Sequence, residues 1–179
     1  RPVRVVLADD HTLFRAGLRV LLRPVDDVTI VGEAADGPAA LALVERLAPD
    51  VLVLDLDMPG LDGEGVTRAL AERPAPDRAA GAPPVRVLVL TMHAEEERLL
   101  PLLDAGASGY LTKEAAEREL VDAIRVVAAG DVYVRPRVAR LLAAHQRERA
   151  HAPATQSRAA FALLSERERV VVERTAQGW

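Results

Sequence analysis

The stretch Val51-Leu52-Val53-Leu54-Asp55-Leu56-Asp57 decides the fold. Its first four residues are apolar without interruption, the pattern of a strand covered on both faces, and the run stops on a carboxylate. Strands of that kind belong to parallel sheets with helices on either side. Upstream, Val3-Arg4-Val5-Val6-Leu7-Ala8 reads as another buried strand, followed by a helical pattern over residues 12–22. Val28-Thr29-Ile30-Val31 is a further strand. Asp36-Gly37-Pro38 then opens a helix that ends before Pro49, with Asp36 as its N-cap and Pro38 in the first turn. Downstream, a helix over residues 63–72 precedes a loop rich in Pro, Ala and Gly at 73–84. Residues 85–90 form a fourth strand, and residues 95–105 a helix that Pro101 kinks or delays until near Leu100. A fifth strand at 108–111 and a long amphipathic helix at 115–129 complete the pattern. Five strands alternating with five helices predict an α/β fold on a doubly wound parallel sheet. In such sheets ligands sit beyond the carboxyl ends of the strands, so the polar residue after each strand becomes a candidate.

Composition narrows the function classes. A chain of 179 residues fits one domain of roughly 100–150 residues plus a remnant. The absence of Cys removes disulfides, thiolate nucleophiles and Cys-based zinc sites. No apolar run approaches the roughly 18–20 residues of a membrane span, and no signal-peptide pattern is present. These features predict a cytoplasmic protein with no membrane partner. Net charge is −4 but unevenly spread. Residues 1–130 carry 14 basic and 22 acidic residues, a net −8, whereas residues 131–179 carry 9 basic and 5 acidic, a net +4. An acidic body with a basic tail predicts two functions on one chain, with nucleic acid excluded as a partner of the body alone. Of 23 Lys and Arg residues, 22 are Arg, and Lys113 is the single Lys. Coding bias explains the Arg and leaves open whether position 113 needs an ammonium.

The strand ends collect Asp9 and Asp10 after the first strand, Asp55 and Asp57 after the third, Thr91 after the fourth and Lys113 after the fifth. Carboxylates gathered at one edge repel one another and raise their pKa values unless a cation is present. Oxygen-only ligands without His or Cys favour a hard ion such as Mg²⁺, which takes one or two carboxylates, several waters and a phosphoryl oxygen. A Lys and a Thr hydroxyl beside such an ion suit the remaining phosphoryl oxygens. The chemistry inferred is phosphoryl transfer to an aspartate, giving an acyl phosphate.

Val6-Leu7-Ala8-Asp9-Asp10-His11, Val53-Leu54-Asp55-Leu56-Asp57-Met58-Pro59-Gly60, Val89-Leu90-Thr91 and Gly106-Ala107-Ser108-Gly109-Tyr110-Leu111-Thr112-Lys113 stand in order on these strands. Over residues 2–130 the chain thereby resembles the receiver domain of bacterial two-component response regulators, a five-stranded flavodoxin-like domain. The resemblance implies that Asp55 accepts a phosphoryl group from a sensor histidine kinase. It implies that Asp10 ligates Mg²⁺ directly, Asp9 partly through water, Asp55 through its carboxylate and Asp57 through its backbone carbonyl. Lys113 would pair with the phosphoryl group, Thr91 would bond to it, and Tyr110 would turn inward after Thr91 moves. Several departures stand out. Glu114 replaces the Pro that often follows the Lys, so no cis peptide is expected. Met92 replaces a small residue and is expected to crowd the approach to the phosphoryl group. The Asp57 side chain adds charge beside that approach, and His93 reads as a solvated helix-start residue.

Beyond the receiver, residues 137–149 read as a helix and 150–158 as a linker, while Ser165-Glu166-Arg167-Glu168 is a capping box. Phe161-Ala162-Leu163-Leu164-Ser165-Glu166-Arg167-Glu168-Arg169-Val170 and Ala176-Gln177-Gly178 resemble the start of a LuxR-type helix-turn-helix domain of the NarL-like subfamily. The organisation expected is a receiver at 1–130, a helical linker at 131–160 and an incomplete all-α DNA-binding remnant at 161–179. A complete module would continue with a second helix and a recognition helix that this chain, ending at Trp179, does not contain, through truncation or loss of the output domain. No DNA-reading residue is therefore assigned, and the Arg residues present would contact phosphates at most. The complete protein implied is a transcription regulator that dimerises on phosphorylation and binds DNA, without enzymatic turnover of its own. Two other classes compete with it. A haloacid dehalogenase-type phosphatase is imitated by Asp55-Leu56-Asp57, Thr91 and Lys113, but its nucleophile would follow the first strand of the core. A receiver used as a phosphorylation-independent interaction module would show dimerisation and DNA affinity insensitive to phosphorylation.

Overall fold

The computed structural model describes residues 1–72, 83–92 and 96–134. Within them β1 (Val3–Ala8), β2 (Val28–Ala34), β3 (Val51–Asp55), β4 (Arg86–Thr91) and β5 (Gly109–Thr112) alternate with α1 (Thr12–Leu22), α2 (Gly37–Leu47), α3 (Gly63–Glu72), α4 (Glu96–Asp104) and α5 (Lys113–Ala129). The strands form one parallel sheet in the order β2-β1-β3-β4-β5. The direction of winding reverses between β1 and β3. Crevices at such switch points are where doubly wound sheets bind ligands, and β1 and β3 are the strands that end in the acidic residues.

The unbroken apolar strands are buried as their composition requires. Val5 and Leu7 of β1, Val51 and Val53 of β3, and Leu88 and Leu90 of β4 share one core with Leu18 and Leu22 of α1 and Leu120, Ile124 and Val127 of α5. Strand alternation sends Val6, Leu52, Leu54, Val87 and Val89 to the other face, and all of them are buried. A buried Leu or Val contributes roughly 1.5–3 kcal/mol relative to exposure, so this double-sided core is what anchors the strand ends.

Local signals set the boundaries. Asp36 caps α2, its carboxylate accepting from the Ala39 amide at 2.8 Å, with Pro38 in the first turn. Strand β2 runs three residues beyond the expected Val31. A register shift between Val5 and Val6 lets Gly32, Glu33 and Ala34 pair with Val6, Leu7 and Ala8. Polar Glu33 broke the apolar pattern, yet it is held there by Arg15 and Arg19. Helix α4 begins at Glu96 rather than near Leu100 and runs through Pro101 to Asp104, which corrects the expected late start. Pro101 gives up one backbone hydrogen bond of that helix, while burial of Leu99 and Leu102 keeps it on the sheet. After α5, Gly130 at φ +102° closes the helix, and Tyr133 bridges back to Gly109 beside β5. The expected loop at 73–84 lies largely outside the described residues. His93, the helix at 137–149, the linker at 150–158 and the capping box lie wholly outside them.

Candidate functional site

The carboxyl ends of β1 and β3 bring Asp9, Asp10 and Asp55 together, as the strand reading expects. Asp55 is the last residue of β3 and Asp9 follows β1, and each is only 1% exposed. The start of α3 lies hard against the Asp55 backbone. A Cβ at Gly63 would come within 2.5 Å of the Asp55 carbonyl oxygen, so any larger residue would push the helix off the site. Asp9 is fixed by its own backbone, its amide donating to the Ala34 carbonyl at 3.1 Å and its carbonyl accepting from the Arg15 guanidinium. Its Oδ1 accepts from the His11 amide at 2.7 Å.

Lys113 follows β5, as expected, and is the first residue of α5. A cation at a helix N-terminus works against the helix dipole, so this position needs compensation from elsewhere. The carboxylates supply it: Lys113 Nζ lies 2.7 Å from Asp9 Oδ2 and 2.9 Å from Asp55 Oδ2, with the ammonium also 4.7 Å from the centroid of the Phe14 ring. Burial pushes the Asp55 carboxyl above the usual range, the Lys113 hydrogen bond opposes that rise, and the Asp9 charge adds to it. For Lys113 burial works against the charge, but hydrogen bonds to Asp9 and Asp55 outweigh it and raise its pKa. Two buried carboxylates thus share one ammonium, leaving an excess of negative charge for a further cation to neutralise.

The donor set fits such an ion. Asp10 Oδ1 is buried and accepts no hydrogen bond among the described residues, while Asp9 Oδ2 is held by the Lys113 ammonium. One atom from each of Asp9, Asp10, His11 and Asp55 lies within 4.8 Å of every other. His11, which the strand reading did not include, brings its Nδ1 to 2.8 Å from Asp10 Oδ1. Mg²⁺ suits the carboxylates of this group.

Thr91 ends β4 and Tyr110 lies on the neighbouring β5; both side chains are buried. Met92 is 59% exposed and stands at the rim. The Asp57 amide points to Asp55 Oδ1 at 3.4 Å, and its side chain is paired with Arg98 at 3.1 Å rather than adding bare charge to the approach. Every peptide bond among the described residues is trans, Lys113–Glu114 included. Sequence reasoning gave no role to His11, Phe14, Arg15 or Arg98. Phe14 and Arg15 sit four and five residues after Asp10, in the first turns of α1, where helical spacing returns side chains to the site. Nothing in the sequence links Arg98 to Asp57.

Residues 5–125 match the family described as the response regulator receiver domain. The chain is 39% identical over 136 residues to the transcriptional regulatory protein DegU of Brevibacillus brevis, covering 76% of this chain and 54% of DegU. It is 37% identical over 166 residues to the response regulator UvrY of Escherichia coli, covering 93% of this chain and 70% of UvrY. The chain thus spans about half the length of one curated relative and more of the other. The crystal structure of a LuxR-family two-component response regulator from Aurantimonas superposes with a TM-score of 0.69 at 36% identity, covering 83% of this chain and all of that one.

Proposed function

Since the chain belongs to the response regulator receiver family and is a two-component response regulator of NarL/LuxR type, we propose that a sensor histidine kinase phosphorylates it on Asp55. The observation that carries this reading is the single Lys, buried with its Nζ 2.9 Å from Asp55 Oδ2. An ammonium at that distance can follow the charge from the carboxylate to a phosphoryl oxygen. A planar guanidinium would need a wider pocket.

In the step proposed, an Asp55 carboxylate oxygen attacks the phosphorus of the kinase's phosphohistidine. The O–P bond forms as the P–N bond breaks, and the imidazole leaves. Asp10, Asp9, Asp55 and the Asp57 carbonyl would hold Mg²⁺, which when bound neutralises phosphoryl charge. Lys113 orients the carboxylate before transfer and pairs with the phosphoryl group after it. The added charge of about −1.5 to −2 draws Thr91 towards Asp55, and Tyr110 on the adjacent strand responds. Dimerisation and control of transcription by a complete C-terminal DNA-binding domain follow as the output, with the receiver at 1–130, the linker at 131–160 and the DNA-binding part from 161.

Acetyl phosphate with Mg²⁺ is expected to add one phosphoryl mass to the protein and none to Asp55→Asn. An unchanged parent mass would sink the phosphoacceptor assignment, and turnover of a generic phosphomonoester would favour a phosphatase.

A further inference from the structure

The rim of the acidic centre carries an ion pair between two elements far apart in sequence. Asp57 stands two residues after the end of β3, and its amide points to Asp55 Oδ1 at 3.4 Å. Covalent geometry then keeps the Asp57 carboxylate within about 7 Å of that oxygen. The side chain is about half exposed, so its charge faces the solvent from which a phosphoryl donor must come. Lys113 lies buried on Asp9 and Asp55, which leaves Asp57 to another cation. That cation is Arg98 of α4, whose Nη1 donates to Asp57 Oδ1 at 3.1 Å across 41 positions of chain.

As a device for stability the pair is poor, because ion pairs with both partners half exposed contribute little. Its place gives it another use. Small phosphoryl donors are anions at neutral pH, and Asp9, Asp10 and Asp55 already set three carboxylates against one ammonium. A fourth carboxylate left bare at this range would act within the Debye length of about 10 Å at 0.1 M salt and repel the donor. Arg98 cancels that charge, and its guanidinium stays protonated at every working pH.

We propose that Arg98 is a positioning residue for phosphoryl transfer, acting through Asp57 to cancel the charge that would turn an anionic donor away from Asp55. This rests on the reading of Asp55 as phosphoacceptor and adds to it a residue of α4 that follows no strand. The donor passes a neutral pair on its way to the acceptor oxygen. Loss of Arg98 slows labelling without changing which group is labelled.

The probe is acetyl phosphate at a fixed Mg²⁺ concentration on the full chain, read as the initial rate of mass gain at low ionic strength. Arg98→Gln should slow labelling about fivefold, the size expected for one charge acting on a dianion at this range in water. The loss should shrink below about twofold at 1 M salt, where the Debye length is about 3 Å. In an Asp57→Asn background the same substitution should cost less than about twofold, because the charge it uncovers is gone. Arg98→Lys keeps the charge and should recover most of the rate. Circular dichroism of Arg98→Gln should match the parent; if it does not, Arg98→Met, which keeps an apolar stem, is read in its place. A parent rate in the variant, a loss that persists at 1 M salt, an equal loss in the Asp57→Asn background, or equal losses for Gln and Lys would each overturn the proposal. A parent chain that takes no label would overturn the phosphoacceptor reading and this one with it, whereas a labelled parent with an unaffected variant would remove only the role of Arg98.

Discussion

The two ends of the sheet hold ion pairs of similar length in opposite surroundings. At the amino ends of the strands, Arg125 grips Asp27 at 2.8 and 2.9 Å, and Arg1 meets Asp50 at 2.8 Å. In the first pair both side chains are about half exposed. At the carboxyl ends, Lys113 meets Asp9 and Asp55 at comparable distances with all three side chains at most 5% exposed. Distance alone therefore says little about what an ion pair does. Water screens the first group, and either partner can be resolvated when the other is lost. The second group has no such refuge, so each charge depends on the others and the cluster can answer to an added charge.

The sharpest way to break the contrast is to remove the shared cation. Lys113→Met leaves the buried Asp9 and Asp55 carboxylates facing each other without the cation they share. We expect a loss of about 3 kcal/mol in chemical denaturation without added divalent ions, partly restored by Mg²⁺. Retained stability without the ion would mean that the carboxylates are solvated. Lys113→Arg should keep the fold yet impair switching on phosphorylation, read as phosphorylation-dependent dimerisation; an unchanged response would leave the single Lys a coincidence of composition.

Removing one of the two carboxylates should act in the opposite direction. Because Asp55 has a raised pKa in the folded protein, the folded state holds its proton more tightly than the unfolded chain does. Stability of the parent therefore declines as pH rises through the interval above the ordinary carboxylate pKa. Asp55→Asn lacks that decline and leaves Lys113 paired with Asp9. It should be more stable than the parent by on the order of 1 kcal/mol at neutral pH, a gain that vanishes in acid. A destabilised variant at neutral pH would show that the Lys113 bond to Asp55 outweighs its burial.

The fold was legible because its signals are local and redundant. Val51-Leu52-Val53-Leu54, short, β-branched at alternate positions and bounded by Pro49-Asp50, reads as a strand covered on both faces, and Asp36-Gly37-Pro38 states a helix start in three residues. The same logic placed Asp9, Asp55, Thr91 and Lys113 at one sheet edge, since each follows or ends an apolar run. What stayed hidden depends on side-chain reach across elements. The Arg98 pairing with Asp57 spans 41 positions, and the turn of the His11 imidazole into the acidic centre leaves no periodicity to read. The extension of β2 was hidden for another reason. Glu33 looks like a strand breaker until Arg15 and Arg19 from α1 neutralise it.

At the exposed end the smallest effect is expected from Asp27→Asn. The Arg125 hydrogen bond holds the Asp27 carboxyl below its ordinary range, and Asp27 in turn raises Arg125. A depressed carboxyl contributes stability that is present above the unfolded pKa and lost as pH falls through the folded one. Exposure of the pair to solvent shrinks that contribution, and salt should erase it, the Debye length falling to about 3 Å at 1 M. Thermal melts at neutral pH and low ionic strength should therefore place Asp27→Asn slightly below the parent, with the two curves merging as salt is added. The Lys113→Met deficit should fade far less in the same salt, because Asp9 and Asp55 are buried and diffuse ions screen buried charges weakly. If both deficits fade together, the two ends of the sheet do not differ in solvation, and the buried cluster loses the property that lets one phosphoryl group move it.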